Sequence, residues 1–236
     1  MAEDSETTWT TLYESENREK PLMPTEPLPF VADVIEYLRD RGCEAVLEAA
    51  CGEGRNTRRF ASSLPAVCGC DVSQEALDTC ARRCEGAVDL RTADVRALPY
   101  PDGRFDATVM LDALTHLRDV ELVLRELARV TATGGEVVFN LPLAGDDVTE
   151  RGSLRHRYAS LEEYRYDLDG PEVVYMVLRD PDRFERTLSA LGLAVTDRDR
   201  YRWEDPPHPE YRRRRHGHEN VLIYARKTGP GSRSGG

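Results

Sequence analysis

The sequence has no long apolar run. Its 236 residues contain no stretch long and apolar enough to cross a bilayer as a helix. Residues 1–6 are largely acidic and lack the apolar core of a signal peptide. We therefore expect a cytoplasmic protein with no membrane partner. The length fits one α/β domain with additions.

An excess of positive charge is missing as well. There are 32 basic residues against 43 acidic ones, which gives a formal net charge of −11. This balance argues against a general nucleic-acid binder, so we expect no nucleic-acid partner. Lys20 and Lys227 are the only lysines, so nearly all basic residues are arginines. Together with abundant alanine, glycine and aspartate, this suggests the GC-rich genome of a bacterium.

The cysteines lack the spacing of a zinc site. Cysteines on the strands and helices of an α/β domain usually behave as small buried hydrophobic residues. In the cytoplasm their thiols stay reduced. His216 and His218 alone do not make a metal site either, so the sequence predicts no metal. All six cysteines lie in the first half of the chain: Cys43, Cys51, Cys68, Cys70, Cys80 and Cys84.

A short apolar strand runs into a glycine turn at residues 45–54, and a predicted helix follows directly. Glycine lets backbone approach a ligand closely, and the helix start offers free N–H groups and a positive dipole end. Thr57 stands where a dinucleotide-binding turn has its third glycine, so no pyrophosphate loop is evident. Glu48 would repel a diphosphate but would attract a cation. These features predict a site for a positively charged nucleoside.

This turn resembles motif I of the class I S-adenosylmethionine-dependent methyltransferases. The segment 46–54, Val-Leu-Glu-Ala-Ala-Cys-Gly-Glu-Gly, is most similar to the ubiquinone and menaquinone methyltransferase branch, which acts on small molecules. The resemblance continues in order and spacing through about residue 142. Ala50 departs from it, because the family usually has its first glycine there. Glu48 replaces the commoner aspartate.

The resemblance implies a fold and a ligand. The fold is α/β: a Rossmann-like, seven-stranded, mostly parallel sheet of order 3-2-1-4-5-7-6, with helices on both faces and an antiparallel last strand. The cosubstrate is S-adenosyl-L-methionine, and the partner is a small-molecule acceptor. Asp71 would bind the ribose, Val72 would pack on the adenine, and Asp94 would contact its amino group. The candidate cofactor-binding residues are Glu48, Ala50, Cys51, Gly52, Gly54, Asn56, Asp71, Val72, Asp94, Val95, Leu111 and Asp112.

Hydrophobic periodicity places the elements of this fold along the chain. We expect an N-terminal lid or tail at 1–28, a methyltransferase domain at 29–228 with a substrate-covering insertion at 143–180, and a flexible tail at 229–236. A homodimer is left open. The predicted strands are 44–49, 66–70, 87–92, 105–111, 135–141, one starting at Leu193, and 220–226; the predicted helices are 29–41, 54–63, 73–84, 119–130 and 181–191.

His116 is the candidate catalytic residue. It lies in the loop 111–117 after the fourth strand, at the sheet edge where ligands bind in open α/β folds. Histidine ordinarily titrates near neutrality, which suits a general base. The alternative is a histidine that only packs or caps the loop. Asp112 either contacts a ligand or is a solvated loop acid.

Each of the segments outside the alternating strands and helices has two interpretations. Trp9 and Tyr13, four residues apart, form either a lid over the ligand or one face of a helix packed on the domain. The basic run at 211–215 either recognises carboxylate or phosphate or is a solvated loop. The tyrosines of the insertion form either an aromatic wall or the packing surface of a covering helix: Tyr158, Tyr164, Tyr166 and Tyr175.

The sequence is compatible with three functions. The first is methyl transfer to a small molecule in bacterial specialised metabolism, by in-line displacement at the sulfonium methyl group. The second is an RNA or protein methyltransferase, although no Asn/Asp-Pro-Pro-Tyr sequence follows the fourth strand. The third is a protein that binds S-adenosylmethionine without methylating, either as a regulator or as the catalyst of another reaction.

Overall fold

The computed structural model describes residues 5–13, 24–167, 172–207 and 215–229. The described strands, in chain order, are β1 (Ala45–Ala49), β2 (Ala66–Asp71), β3 (Asp89–Thr92), β4 (Phe105–Met110), β5 (Thr131–Pro142), β6 (Ser153–Arg157), β7 (Leu161–Asp167), β8 (Glu172–Leu178), β9 (Leu193–Asp205) and β10 (His216–Lys227). The described helices are α1 (Ser5–Tyr13), α2 (Val31–Asp40), α3 (Thr57–Ala61), α4 (Gln74–Arg83), α5 (Val120–Val130), α6 (Asp147–Arg151) and α7 (Pro181–Ala190), with a 3₁₀ turn at Leu114–His116.

Seven of these strands form one sheet in the order β3-β2-β1-β4-β5-β10-β9. Neighbouring strands from β3 to β5 pair in parallel, whereas β10 pairs antiparallel with both β5 and β9. The expected fold class and strand order are confirmed. The carboxyl ends of β1, β2 and β4 consequently meet at one edge of the sheet, and β10 begins at that same edge.

The central strands are apolar without alternation because the sheet is covered on both faces. Leu47 and Phe139 belong to the core that α5 and α7 cover. Their neighbours Val46 and Val138 belong to the core that α2 and α3 cover. Phe139 packs edge-on against Phe184 of α7, with ring centroids 6.2 Å apart. Both faces of each strand are therefore buried, which fixes the register of the edge that carries the site.

The last two strands are longer than the sequence predicts. The β9–β10 ladder extends from the pair Leu193–Lys227 to the pair His216–Asp205. Its outer part carries charged residues on the exposed side of β9, so it lacks the apolar signal of a buried strand. His216 and His218, which the sequence places beside a basic loop, are instead strand residues. The basic run itself lies outside the described residues except for Arg215.

The insertion forms a second sheet rather than a covering helix. Strands β6, β7 and β8 pair antiparallel in that order. Strand β8 is buried on both faces: Val174 and Met176 join the main core, while Val173 and Tyr175 pack with Tyr13 of α1. Continuous burial gives β8 a short apolar run without alternation, and periodicity alone does not distinguish such a run from a buried helix. The domain limits drawn from the sequence remain predictions.

Within the described ranges, no helix has both the length and the apolar character that a membrane span requires.

Candidate active site

A cavity opens at the carboxyl ends of β1, β2 and β4. Eleven of the twelve predicted cofactor-binding residues line it, and the predicted base His116 lies in the same wall. Gly54 is the exception. The cavity residues that the sequence predicts are Glu48, Ala50, Cys51, Gly52, Asn56, Asp71, Val72, Asp94, Val95, Leu111 and Asp112. The roles assigned to them remain predictions.

Gly54 is required by packing against α4. Its φ is +80°, and a Cβ placed there would lie 2.5 Å from Sγ and 3.2 Å from Cα of Cys80. No side chain fits between the turn and the helix. The glycine that the sequence assigns to ligand approach therefore brings the turn against α4.

The departure from the family pattern at Ala50 has a conformational consequence. Ala50 has a φ of 54°, in the left-handed region that costs a residue with a Cβ about 1–2 kcal/mol. The backbone is held there by a hydrogen bond from the Cys51 N–H to the Cys70 carbonyl, 2.9 Å long. The turn keeps the glycine-like conformation although its first residue is alanine.

Asp71 is buried at the end of β2 and accepts two backbone hydrogen bonds. The Gly52 N–H donates to one carboxylate oxygen at 2.9 Å, and the Ser73 N–H donates to the other at 3.0 Å. Burial raises the pKa of this carboxyl, while the backbone N–H groups act in the opposite direction. The Asp71 carboxylate thus ties the glycine turn to the second strand.

Glu48 lies in the cavity wall with 2% of its surface exposed. The Thr57 hydroxyl donates a hydrogen bond to its carboxylate, 2.6 Å long. Burial raises the pKa of Glu48 to about 8, against the lowering effect of its hydrogen bonds to Thr57 and Asn56. Ionising this group inside the protein is costly, so a cation bound next to it would be strongly favoured.

Asp94 is held by Arg96. The guanidinium Nε lies 3.0 and 2.9 Å from the two carboxylate oxygens, and the Arg96 backbone N–H donates to one of them at 2.8 Å. Burial alone would raise the pKa of Asp94, but the hydrogen bonds from Arg96 outweigh it and lower the pKa. This carboxylate stays ionised beside the cavity.

His116 lies between two aromatic rings. Trp9 of α1 and Tyr175 of β8 contact it edge-on, with ring centroids 4.7 and 5.4 Å away. Its Nδ1 lies 3.0 Å from the Val174 carbonyl oxygen. A carbonyl only accepts, so Nδ1 carries the proton and the lone pair of the neutral ring lies on Nε2. The hydroxyl of Thr115 donates to the Met176 carbonyl at 3.1 Å, which fixes the same turn to β8.

A cluster that the sequence does not predict completes the wall. Asp205 of β9 and His216 and His218 of β10 line the cavity, and all three are buried. Asp112 lies near them; burial raises the pKa of its carboxyl, and electrostatic interactions with His218 and Arg55 partly offset this. The alternation of His216 and His218 places both on one face of a strand. Asp205 joins them only through pairing across the sheet, which no local pattern reveals.

Known proteins share the fold of this chain and the segment that contains the glycine turn after β1. A family described as a methyltransferase domain matches residues 47–139. The match covers under half of the chain, and the matched segment is similar to the class I S-adenosylmethionine-dependent methyltransferases. The resemblance seen in the sequence is confirmed, and with it S-adenosyl-L-methionine as the cosubstrate.

Two curated methyltransferases and one solved structure illustrate the similarity. Malonyl-[acyl-carrier protein] O-methyltransferase of Erwinia pyrifoliae is 34% identical over 45% of this chain and 40% of its own length. Ubiquinone biosynthesis O-methyltransferase of Rhizobium etli is 26% identical over 70% of this chain and 71% of its own. The structure of 1,6-didemethyltoxoflavin-N1-methyltransferase from Burkholderia thailandensis, with bound S-adenosylhomocysteine, aligns with a TM-score of 0.57 at 19% identity, over 85% of this chain and 79% of that chain.

The shared region is limited in extent. The first curated relatives are matched over only a third to two fifths of their own length, and the solved structure shares the fold alone. Two observations show that the residues lining the cavity fit this cosubstrate. The acids Glu48, Asp71 and Asp94 suit a cationic nucleoside, and a Cβ at Gly52 would lie 2.9 Å from the Tyr13 hydroxyl, at the wall that the ligand must approach.

The left-handed backbone at residue 50 predicts that Ala50→Gly stabilises the protein. Relief of about 1–2 kcal/mol of strain outweighs an entropic cost of about 0.4–1 kcal/mol in the unfolded chain. We expect a melting temperature higher by about 1–2 °C, measured by calorimetry. The matched control is Ala49→Gly in the buried strand β1, which should lower it. A lower melting temperature for Ala50→Gly would contradict the strained turn.

Glu48 predicts a pH dependence of stability in the ligand-free protein. The folded protein holds this proton more tightly than the unfolded chain, so its contribution is complete below about pH 4.5 and is lost as pH rises to about 8. Within that window the group should lower the free energy of unfolding by about 1.4 kcal/mol per pH unit. Urea unfolding at several pH values should show this decline in wild type and not in Glu48→Gln. Exposed Glu44→Gln should keep the wild-type profile; a Glu48→Gln profile parallel to wild type would refute the assignment.

Proposed function

We propose that this protein transfers a methyl group from S-adenosyl-L-methionine to a small-molecule acceptor. The observation that carries the proposal is a cavity in which buried acids, the glycine turn and an aromatic wall with a histidine all meet. The acids, the aromatic rings and the histidine each meet one requirement of the reaction. The acids hold a cationic nucleoside, the aromatic rings exclude water, and the histidine can accept a proton.

In this proposal the turn and the ends of β1 and β2 hold the cosubstrate. Asp71 accepts hydrogen bonds from the ribose hydroxyls, with its position already fixed by the N–H groups of Gly52 and Ser73. Val72 and Val95 pack against the base, and Asp94 is oriented by Arg96. Glu48 attracts the positive charge of the ligand and ionises when that charge is bound.

The aromatic wall covers the reacting groups. Trp9 and Tyr13 of α1 line the cavity together with Tyr166 and Tyr175 of the second sheet. Trp9 contacts His116, so the N-terminal helix reaches over the loop after β4. We propose that α1 acts as a lid that keeps water from the site. A dry site strengthens the attraction between the buried acids and a cation.

When bound, S-adenosylmethionine supplies a sulfonium methyl group that an acceptor lone pair attacks in line, while the carbon–sulfur bonding electrons stay on sulfur. The chain's part is to place the acceptor and to receive its proton. His116 suits the second task because the Val174 carbonyl holds the proton on Nδ1 and leaves the lone pair on Nε2. The preference for arginine over lysine suggests a GC-rich bacterial genome, and we propose that the reaction belongs to bacterial specialised metabolism.

A nucleic-acid or protein acceptor has little support. The formal net charge is −11, and Arg215, the described residue of the basic run, lies 3.2 Å from the Glu204 carboxylate. A function that uses the nucleoside without methyl transfer is distinguished by experiment: binding of S-adenosylmethionine without turnover on a broad panel of acceptors would favour it.

The cosubstrate site predicts that Asp71→Asn weakens binding of S-adenosylmethionine. Asparagine removes the charge, and because only one of its two terminal atoms is an acceptor, it cannot accept both the Gly52 and the Ser73 N–H groups. Loss of hydrogen bonds to a charged group, at about 1.5–3 kcal/mol, corresponds to an affinity about 10- to 100-fold lower. Isothermal calorimetry measures it. Exposed Asp89→Asn, on the neighbouring edge strand, should bind like wild type; unchanged affinity in Asp71→Asn would refute the site.

The base assignment predicts a specific loss in His116→Asn. Asparagine keeps an N–H donor for the Val174 carbonyl but cannot take a proton. With an acceptor found by panel screening, we expect a single-turnover rate about 10²- to 10⁴-fold lower, while affinity for S-adenosylmethionine stays the same. A rate within a few-fold of wild type would show that His116 only ties the loop to β8.

A further inference from the structure

The wall of the cavity contains a cluster of metal-ligating side chains. One donor atom each from Asp205, His216 and His218 lies within 4.8 Å of the others. All three side chains are buried, and all three line the cavity. Asp205 and His216 face each other directly across the β9–β10 ladder, and His218 follows two residues later on the same face.

The imidazole of His218 has hydrogen-bonding capacity that the described residues do not satisfy. Its side chain is 4% exposed, and neither ring nitrogen forms a hydrogen bond with any residue that the structure describes. Carboxylate oxygens of Asp146 and Asp205 lie 3.4 Å from Nδ1 and 3.6 Å from Nε2, respectively. A buried polar group without a partner costs about 1–3 kcal/mol, so a ligand that satisfies it is expected.

We propose that Asp205, His216 and His218 bind a divalent transition-metal ion, with Zn²⁺ as the first expected. Two imidazoles and one carboxylate form the donor set that such ions prefer. Ligand bonds of about 2.0–2.2 Å would put the donors about 3.4 Å apart. The observed separation therefore needs only a small inward movement of the side chains.

The surroundings of His218 orient it as a ligand. Asp146 is itself fixed, because its two oxygens accept the N–H groups of Val148 and Glu219 at 3.1 and 3.2 Å. With the Nδ1 proton directed at Asp146, Nε2 presents its lone pair beside Asp205. A carboxylate behind a histidine ligand is the usual arrangement at metal sites. Trp203 stacks on the ring at 4.7 Å and 21° and holds its plane.

Charge also favours a cation here. Asp112, Asp146 and Asp205 bring three carboxylates near His218, and the charge of Arg55 acts on Asp112. A divalent ion would neutralise the remaining negative charge.

The ion would take part in acceptor binding. Three protein ligands leave at least one coordination position open, and the cluster lines the cavity that also contains the predicted cosubstrate residues. This step rests on the proposed function: the acceptor class is then one with an anionic oxygen, such as a phenol or an enol, whose pKa the ion lowers.

The test is a calorimetric titration of metal-free, full-length protein with ZnCl₂. We expect one Zn²⁺ per chain, and an affinity at least about 100-fold lower in His218→Ala and Asp205→Asn. Asp146→Asn should weaken binding about 10- to 100-fold without abolishing it. The control His156→Ala removes an exposed histidine of β6 and should bind like wild type. Thermal unfolding of each metal-free variant shows which of them fold.

A second measurement needs no variant. Co²⁺ bound at the proposed site should give visible d–d absorption without the thiolate charge-transfer band of a cysteine site. Absence of stoichiometric binding, a thiolate band, or equal affinity in the folded variants would overturn the proposal. S-adenosylmethionine titrated into the metal-free protein separates the two claims: binding there with no metal site refutes only the metal, and a metal site without nucleoside binding refutes only the methyltransferase function.

Discussion

The hydrogen bond from the Gly52 N–H to the buried Asp71 carboxylate is the interaction on which the site depends. It joins the turn after β1 to the end of β2, at the sheet edge where the cavity opens. The turn reaches Asp71 with a left-handed backbone at Ala50, Gly52 and Gly54. It must also lie against Cys80 of α4, which excludes any side chain at Gly54. The strain at Ala50 is therefore compensated by contacts on both sides of the turn.

Much of this arrangement could be predicted because its signals are local. The apolar strand, the glycines and the acid that ends the next strand occupy a short stretch of sequence. The order of the sheet is what the family resemblance of that motif implies. One role was read differently. Gly54 looks like a ligand-approach glycine in the sequence, but the reason for it is the close contact with α4, which depends on tertiary packing.

The remaining part of the site could not be predicted, for physical reasons. The outer β9–β10 ladder is half exposed and rich in charge, so it resembles a loop, and β8 is buried on both faces, so it shows no alternation. Asp205 meets His216 only through cross-strand pairing. Long-range pairing therefore brings together the cluster that the sequence alone left as two histidines near a basic run.

The cavity combines a proposed nucleoside site, built by local motifs, with a histidine–aspartate cluster built by the sheet. The most direct test of the central claim is a crystal structure of the protein with S-adenosylhomocysteine. We expect the ribose hydroxyls within hydrogen-bond distance of the Asp71 carboxylate, with the Gly52 N–H still bonded to it. A nucleoside bound elsewhere, or bound with no contact to Asp71, would contradict the account.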